Sequence, residues 1–325
     1  MSPGDPARQS DASVKAYSFV NDPEARLKVS PREAVSRDVM PHVIGVGPGT
    51  GLSCIIKVED MACKGLQNIL HQLVKANHIL HYHGAVDGFG HISVRHPEKP
   101  NVYIMCGYMP PALVQSQEDL IEYYVDGSAP VDPNAKKGYS ERFIHGELFK
   151  KYPSIQCVVH SHAEGVLPYV STAVPLKPMF HMGGFLGPQV PVWDIAPVYD
   201  EDYQQDMLVN NAKLGNSLAL AFAPTSAKPE DLEHNVILMK RHGYTTWGKD
   251  IPTAVYRAIH TLINAGLQTN AAVLQATLHD GPLEGLSERH CRDCQMMNEA
   301  TQDKSWRLWS REVEVNPLYR NSIPA

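Results

Sequence analysis

At 325 residues the chain is long enough to bury a large core without disulfide staples, as one large domain or two ordinary ones. Its net charge of −6, with basic runs no longer than Lys136-Lys137 and Lys150-Lys151, excludes general nucleic-acid binding, and no apolar run of 18 residues offers a membrane span. Six scattered cysteines read as reduced thiols, and the polar residues 1–18 lack the apolar centre of a secretory signal, so the expected compartment is the cytoplasm.

Residues 1–40 are polar and without period, and read as a mobile arm or one that packs on a partner subunit. The glycine-rich Gly45–Gly51 lacks the Gly-Lys-Ser/Thr ending of a phosphate loop, which leaves a turn before a short strand Leu52–Val58. Leu66, Ile69, Leu70, Leu73 and Leu80 recur at helical spacing and predict a helix over Met61–Leu80, with Asp60 as its cap. A glycine-rich turn then leads into an alternating strand ending at Arg95. A second strand, Val102–Cys106, makes a hairpin with it through the proline-containing turn His96–Pro100.

Residues 112–137 read as mixed polar sequence and turn. Ser140–Tyr152 has helical spacing with lysines at its end, and Pro153 stops it. Ile155–His162 is β-branched and alternating, so it reads as a strand. A short helix is expected over Gly165–Thr172, a longer one within Tyr203–Leu220, and two strands meeting at His242-Gly243 within Asn235–Trp247. Pro252 opens a long helix to about Leu278, and Leu286–Val315 is helical with Trp306 and Trp309 three apart. The expected organisation is an arm (1–40), a catalytic domain (41–285) and a C-terminal helix and tail (286–325) packed on the domain or on a neighbouring subunit.

The chemistry gathers around the strand that ends in His160-Ser-His162. Alternation puts both imidazoles on one face, about 6.6 Å apart along the strand, a spacing that can chelate a divalent ion. The plainer reading is two histidines on a solvated strand face. His242 is the candidate third ligand, because the glycine after it lets the backbone approach another element closely. Glu141 starts the helix that leads into the His-x-His strand. Three imidazoles with an open position describe a catalytic rather than a structural metal site, and a neighbouring carboxylate suits proton transfer.

Four pieces in order, Gly90-His-Ile-Ser-Val-Arg95, Ser140-Glu-Arg-Phe-Ile-His145, Val159-His-Ser-His162 and Arg241-His-Gly243, resemble the class II aldolase/adducin family over about residues 60–275. The resemblance implies a three-layer α/β/α fold with a mainly antiparallel central sheet. It also implies a homo-oligomer, typically a tetramer, with active sites at subunit interfaces. It gives zinc, with manganese or iron as alternatives, one ion per subunit on His160, His162 and His242, and Glu141 as acid/base. The implied activity is carbon–carbon cleavage of a small molecule through a metal-stabilised enolate, and the expected substrate is a non-phosphorylated hydroxy- or keto-acid, cleaved by decarboxylation or by retro-aldol reaction. A non-catalytic scaffold resembling adducin and an iron-dependent oxygenase on the same histidines are the alternative readings.

The departures from the family bear on the substrate. Where its sugar-phosphate aldolases cradle phosphate with Gly-Asn, Thr-Gly and Ser-Ser, this chain has Gly90-His91, Cys106-Gly107 and Tyr139-Ser140. His91, Cys106, Gly107 and Ser140 are therefore candidate substrate contacts for something other than a phosphate. Arg95 is a candidate fork for a carboxylate, or an ordinary strand residue. The family's tyrosine after the His-x-His strand is replaced by Phe180-His181, which makes His181 a candidate second acid/base or a loop histidine with a structural bond. Phe89–Arg95 together with Pro175–His181 looks more like the family's decarboxylases of hydroxylated aromatic or pyridine carboxylates. The pair Cys291 and Cys294 has no second ligand pair, which argues against a zinc knuckle and leaves a redox pair without the usual βαβ surroundings as the alternative.

Overall fold

A seven-stranded sheet in the order β3-β2-β1-β4-β7-β6-β5 organises the computed structural model, which describes residues 58–223, 232–278 and 281–325. The strands are β1 His91–Arg95, β2 Val102–Cys106, β3 Leu120–Tyr124, β4 Cys157–Ser161, β5 Val192–Trp193, β6 Val236–Met239 and β7 Gly243–Gly248. Every pairing is antiparallel except β5 with β6, so the sheet is mixed but mainly antiparallel. The helices are α1 Val58–Tyr82, α2 Arg142–Lys151, α3 Leu167–Ser171, α4 Ala212–Leu220, α5 Ile251–Leu278, α6 Glu288–Thr301 and α7 Asp303–Glu314. The expected arm, the Gly45–Gly51 turn and most of the strand that follows it lie outside the described residues. Val58 already belongs to α1, which starts ahead of the expected Asp60 cap.

Strand alternation sorts the side chains of β4 between two helical layers. His160 faces α2, because its register partner His91 and the next same-face residue of β1, Ser93, both reach His145 of that helix. Ser161 and Tyr244 face the other way, donating to the carbonyls of Ala85 and of Ala258 in α5. The first layer holds α2 packed on α4, and the second holds α1, α5 and α7 packed on one another, which gives three layers. Of the expected apolar stripe of α1, Leu66 and Ile69 are half-buried, Leu70 is buried, and Leu73 and Leu80 are fully covered. Each such side chain contributes about 1.5–3 kcal/mol. Among the described residues no helix is long and apolar enough to cross a membrane.

The structure departs from the sequence reading where short strands sit among polar residues. β3 lies inside 112–137, anchored by Asp119, whose carboxylate accepts the amides of Gln115 and Ser116. β5 is a two-residue edge strand after a Pro- and Gly-rich stretch. The helix expected within Tyr203–Leu220 forms only from Ala212. Asn211 caps it by accepting from the Leu214 amide, and Met207 before it has a positive φ of 67°. Residues 203–211 instead form a loop that reaches the site described below.

Two histidines far from that site set a pH dependence. Burial pushes His78, in α1, and His260, in α5, down to about 4 from an ordinary value of 6.5. Their neutral, folded form is fully stabilising above pH 6.5, where the unfolded chain is also neutral. Below that pH the unfolded chain takes up protons that the folded one refuses, so stability falls toward pH 4 by up to about 1.4 kcal/mol per pH unit per group. Melting followed from pH 7 to 5 should show this loss, and His78→Gln with His260→Gln should flatten the slope; an unchanged slope in the double variant would remove these two groups as its cause.

Candidate metal centre

Four side chains converge where β4 ends. The Nε2 atoms of His160 and His162 are 2.9 Å apart, and those of His162 and His242 are 3.0 Å apart. Glu141 closes the group: Oε2 lies 3.6 Å from His160 Nε2 and 3.9 Å from His162 Nε2, and Oε1 lies 3.5 Å from His242 Nε2. All four ligand atoms fall within 4.8 Å of one another, and among the described residues no other group of three or more His, Cys, Asp or Glu side chains does this.

Local structure explains each position. His160 is inside β4, His162 is one residue beyond it, and His242 ends the loop Lys240-Arg241-His242 between β6 and β7. Arg241 turns that loop with a φ of 58°. Gly243 then lies so close to β4 that a Cβ there would run into the Ser161 carbonyl and the Cα of His162. Only glycine lets the hairpin press His242 against His162. Gly90 serves similarly on the other side, where a Cβ would meet Val86 at 2.8 Å and the His160 carbonyl oxygen at 3.2 Å. Glu141 occupies the N-cap position of α2, yet its side chain makes no capping bond. It is turned toward the histidines, and its Oε1 accepts the Val209 amide at 3.0 Å from the 203–211 loop.

The donor set fits a divalent cation. Thr245 Oγ1 donates to Met239 Sδ, so it accepts from His160 Nδ1 at 3.2 Å, which leaves the His160 Nε2 lone pair bare. His160 is held well below the usual histidine range by burial first and then by the neighbouring His162 and His242. His162 is lowered by burial and His242, against the opposing pull of Glu141 and Asp87. Neutral imidazoles with free Nε2 atoms are what a metal requires, and zinc at 2.0–2.1 Å from each nitrogen would set them about 3.3 Å apart. Asp87 supports the rim. Burial pushes its carboxyl up, but the Phe89 and Gly90 amides and the nearby His162 together hold it below its ordinary value.

The other expected site residues divide. His91 lies beside the cluster, its ring 5.2 Å from that of His160. Ser140 is exposed in the turn before α2. Cys106 is sealed in the core against Asn77 Oδ1, and burial pushes its thiol up to about 12, so it is closed to a ligand. Gly107 makes an isolated bridge to Gly138 just past the end of β2 and lies against the Lys136 stem. Arg95 is not brought to the centre. It shares a face with His91 but lies about 13 Å along the strand, and its guanidinium donates to the carbonyls of Phe149, Tyr152, Ile155 and Pro100. It caps the end of α2 rather than holding a carboxylate. His181 is exposed at the start of a 3₁₀ turn, its ring against Phe180 and its carbonyl accepting from Asn298. Within one chain it does not join the cluster. Cys291 is buried in α6, where burial raises its thiol, and it belongs to no ligand group.

Residues near the centre that were not predicted include His145, Ser93, Thr245, Asp87 and Val209. The signal for His145 was present, since it lies four residues after Glu141 and thus on the same helix face. Ser93 lies two residues after His91 and shares its strand face.

The seven-stranded α/β/α sandwich thus carries a cluster of three histidines and one glutamate, a donor set that could hold a divalent ion. The description "Class II Aldolase and Adducin N-terminal domain" matches residues 71–268, and the chain belongs to that family. It is 45% identical over 249 residues to Decarboxylase tropJ of Talaromyces stipitatus, covering 75% of this chain and 93% of that protein. It is 26% identical over 215 residues to a 3,4-dihydroxyphthalate decarboxylase of Arthrobacter keyseri, covering 65% and 81%. An aldolase II superfamily protein from Pseudomonas syringae superposes with a TM-score of 0.61 at 16% identity, over 81% of this chain and 98% of that one. L-fuculose 1-phosphate aldolase from Glaciozyma antarctica superposes with a TM-score of 0.58 at 17% identity, over 84% and 97%.

If Gly243 sets the histidine spacing, Gly243→Ala should fold less stably by about 1–3 kcal/mol, the scale of overpacking, and bind metal more weakly. Calorimetric zinc titration and thermal melting check both. Wild-type affinity in that variant would show that the close approach is dispensable.

Proposed function

We propose that the chain is a divalent-metal-dependent lyase that decarboxylates a hydroxylated aromatic carboxylate, with Glu141 as the acid that protonates carbon. Family membership and the 45% identical decarboxylase make the chain a lyase, of the decarboxylase or aldolase kind. The observation that carries the residue assignment is the Glu141 carboxylate, buried and aimed at the point where His160, His162 and His242 converge. The histidines would hold the ion, zinc on the family's pattern. When bound it supplies Lewis acidity, drawing charge from substrate oxygens as a carbon–carbon bond breaks.

The protein's own residues do the rest. As carbon dioxide leaves, the bonding pair stays on the ring carbon, and Glu141 delivers a proton there and recovers one from water. The Val209 amide fixes the carboxylate, so the proton is presented at one place. The substrate side favours decarboxylation over sugar-phosphate cleavage. Ser140 aside, the positions where the family's aldolases carry small phosphate donors hold a histidine, a sealed thiol and a buried tyrosine.

We further expect a homo-oligomer. Ile263, Leu267, Leu274 and Leu278 form one exposed apolar stripe along α5, which suits burial against another subunit. Light scattering tests this, with a monomer at micromolar concentration as the contrary result.

The central test is a pair of variants in zinc-loaded protein. Glu141→Gln should retain stoichiometric metal and lose about 10²–10⁴-fold in turnover, whereas His160→Ala should lose both. Carbon dioxide release from 3,4-dihydroxyphthalate and related hydroxybenzoates gives the readout, with released aldehyde from aldol substrates as the competing result. Full turnover by either variant would refute the residue assignment.

A further inference from the structure

A second set of buried polar side chains lies against the metal centre. On β1, His91 and Ser93 share a face, and His145 of α2 stands between them. Ser93 Oγ is 2.6 Å from His145 Nδ1, and His145 Nε2 is 2.7 Å from His91 Nδ1. All three side chains are at most 1% exposed. His91 Nε2, on the ring edge away from His145, is buried and has no partner in the protein.

We propose that Ser93, His145 and His91 form a directed hydrogen-bond chain that presents His91 as a neutral Nε2–H donor to an oxygen anion of the substrate. The direction follows from counting donors. The Ser93 hydroxyl has one acceptor within reach, His145 Nδ1, and donates to it. His145 with Nδ1 occupied carries its proton on Nε2 and donates to His91 Nδ1. His91 then carries its own proton on Nε2. Reversing the chain would leave the Ser93 hydrogen without an acceptor at a position with no exposed surface, which costs the desolvation of that donor with nothing in return. Burial also pushes His145 down to about 3, so the ring at the middle of the chain is neutral.

The consequence lies at the free end. A buried donor with no protein partner is satisfied when a ligand brings an acceptor. His91 pairs in register with His160 across β1 and β4, so that acceptor arrives next to the centre. A neutral N–H suits a carboxylate or phenolate oxygen and adds no positive charge beside a cation. His91 is thus a substrate-contacting residue, and Ser93 and His145 are positioning residues that act through it. The substrate contact rests on the lyase reading above; the proton arrangement does not.

The test uses ¹⁵N-histidine-labelled, full-length, zinc-loaded protein, with the His91 signal assigned from the His91→Asn spectrum. The expected result is a proton on His91 Nε2; a proton on Nδ1, or a doubly protonated ring, overturns the chain. In His145→Gln the amide can still donate to His91 Nδ1, so the Nε2–H signature should persist. His145→Ala should lose it and fall about 10–100-fold in kcat/KM, the scale seen for lost outer-shell partners. Equal losses in the two variants with the His91 signature unchanged would mean a merely structural His145, and would overturn the positioning role. Titration with 3,4-dihydroxyphthalate and 2,3-dihydroxybenzoate reads the contact: whichever binds calorimetrically should shift the Nε2–H resonance, and binding without a shift overturns it. The expected proton position in a protein that releases neither carbon dioxide nor aldehyde would sink the proposed activity while leaving the chain intact.

Discussion

The pairing of β4 with both β1 and β7 is the constraint on which the site depends. It sets His91, His160 and Thr245 side by side in one row across the sheet. A one-residue slip would carry His160 to the opposite layer and replace it with a neighbour of the wrong parity. The register is held by what lies on the other face. Ile92, Val159 and Tyr244 are fully buried there against α1 and α5, and any slip would turn these groups toward α2. The apolar layer thus fixes the polar one, and the metal centre inherits its geometry from a core it does not touch.

The site also needs two elements that come from far away in sequence. The β6–β7 hairpin delivers His242 through the close approach at Gly243, and the 203–211 loop delivers the Val209 amide to Glu141. The exposed edge of the cluster is at His162 and Asp87, whose side chains are 22% and 57% exposed. The imidazoles are held by rigid strand ends, while the carboxylate is held by a helix start and one loop amide. On the proposed roles, rigid ligands and a proton carrier on a separate element are a sensible division, because the carrier must exchange its proton without disturbing the ligands.

Much of this was legible in the sequence because its signals are local. The alternation of Ile155–His162 and the stripe of α1 each follow from one period, and the glycine after His242 was itself the clue to a close approach. The structure brings the expected ligands His160, His162 and His242 together with Glu141, His160 from inside β4 and the other three from element ends or just beyond them. What could not be read was set by partners distant in the chain. Arg95 looks like a carboxylate fork in isolation, but the carbonyls at the end of α2 claim its donors. Cys106 looks like a replacement for a small pocket residue, but it pairs with Leu120 of β3 and is completely buried in the core. The Ser93–His145–His91 chain could not be foreseen either, since which nitrogen meets which depends on how α2 lies across β1.

Charge balance gives the cluster its character. Glu141 is buried, and among the described residues its ion-pair neighbours are imidazoles, with no Lys or Arg within 4 Å. Burial disfavours the charged forms of His160 and His162, so these rings do not supply the missing positive charge. A buried carboxylate faced by neutral donors is costly in the bare protein. A dication at the point where the three Nε2 atoms meet would offset that cost and satisfy every lone pair aimed at it. On the proposed role of His91, the same balance favours a neutral imidazole at the edge of the centre over an arginine or lysine. A fixed positive charge there would compete with the ion for Glu141, whereas an N–H without net charge can hold a substrate oxygen and leave the pairing of carboxylate and cation intact.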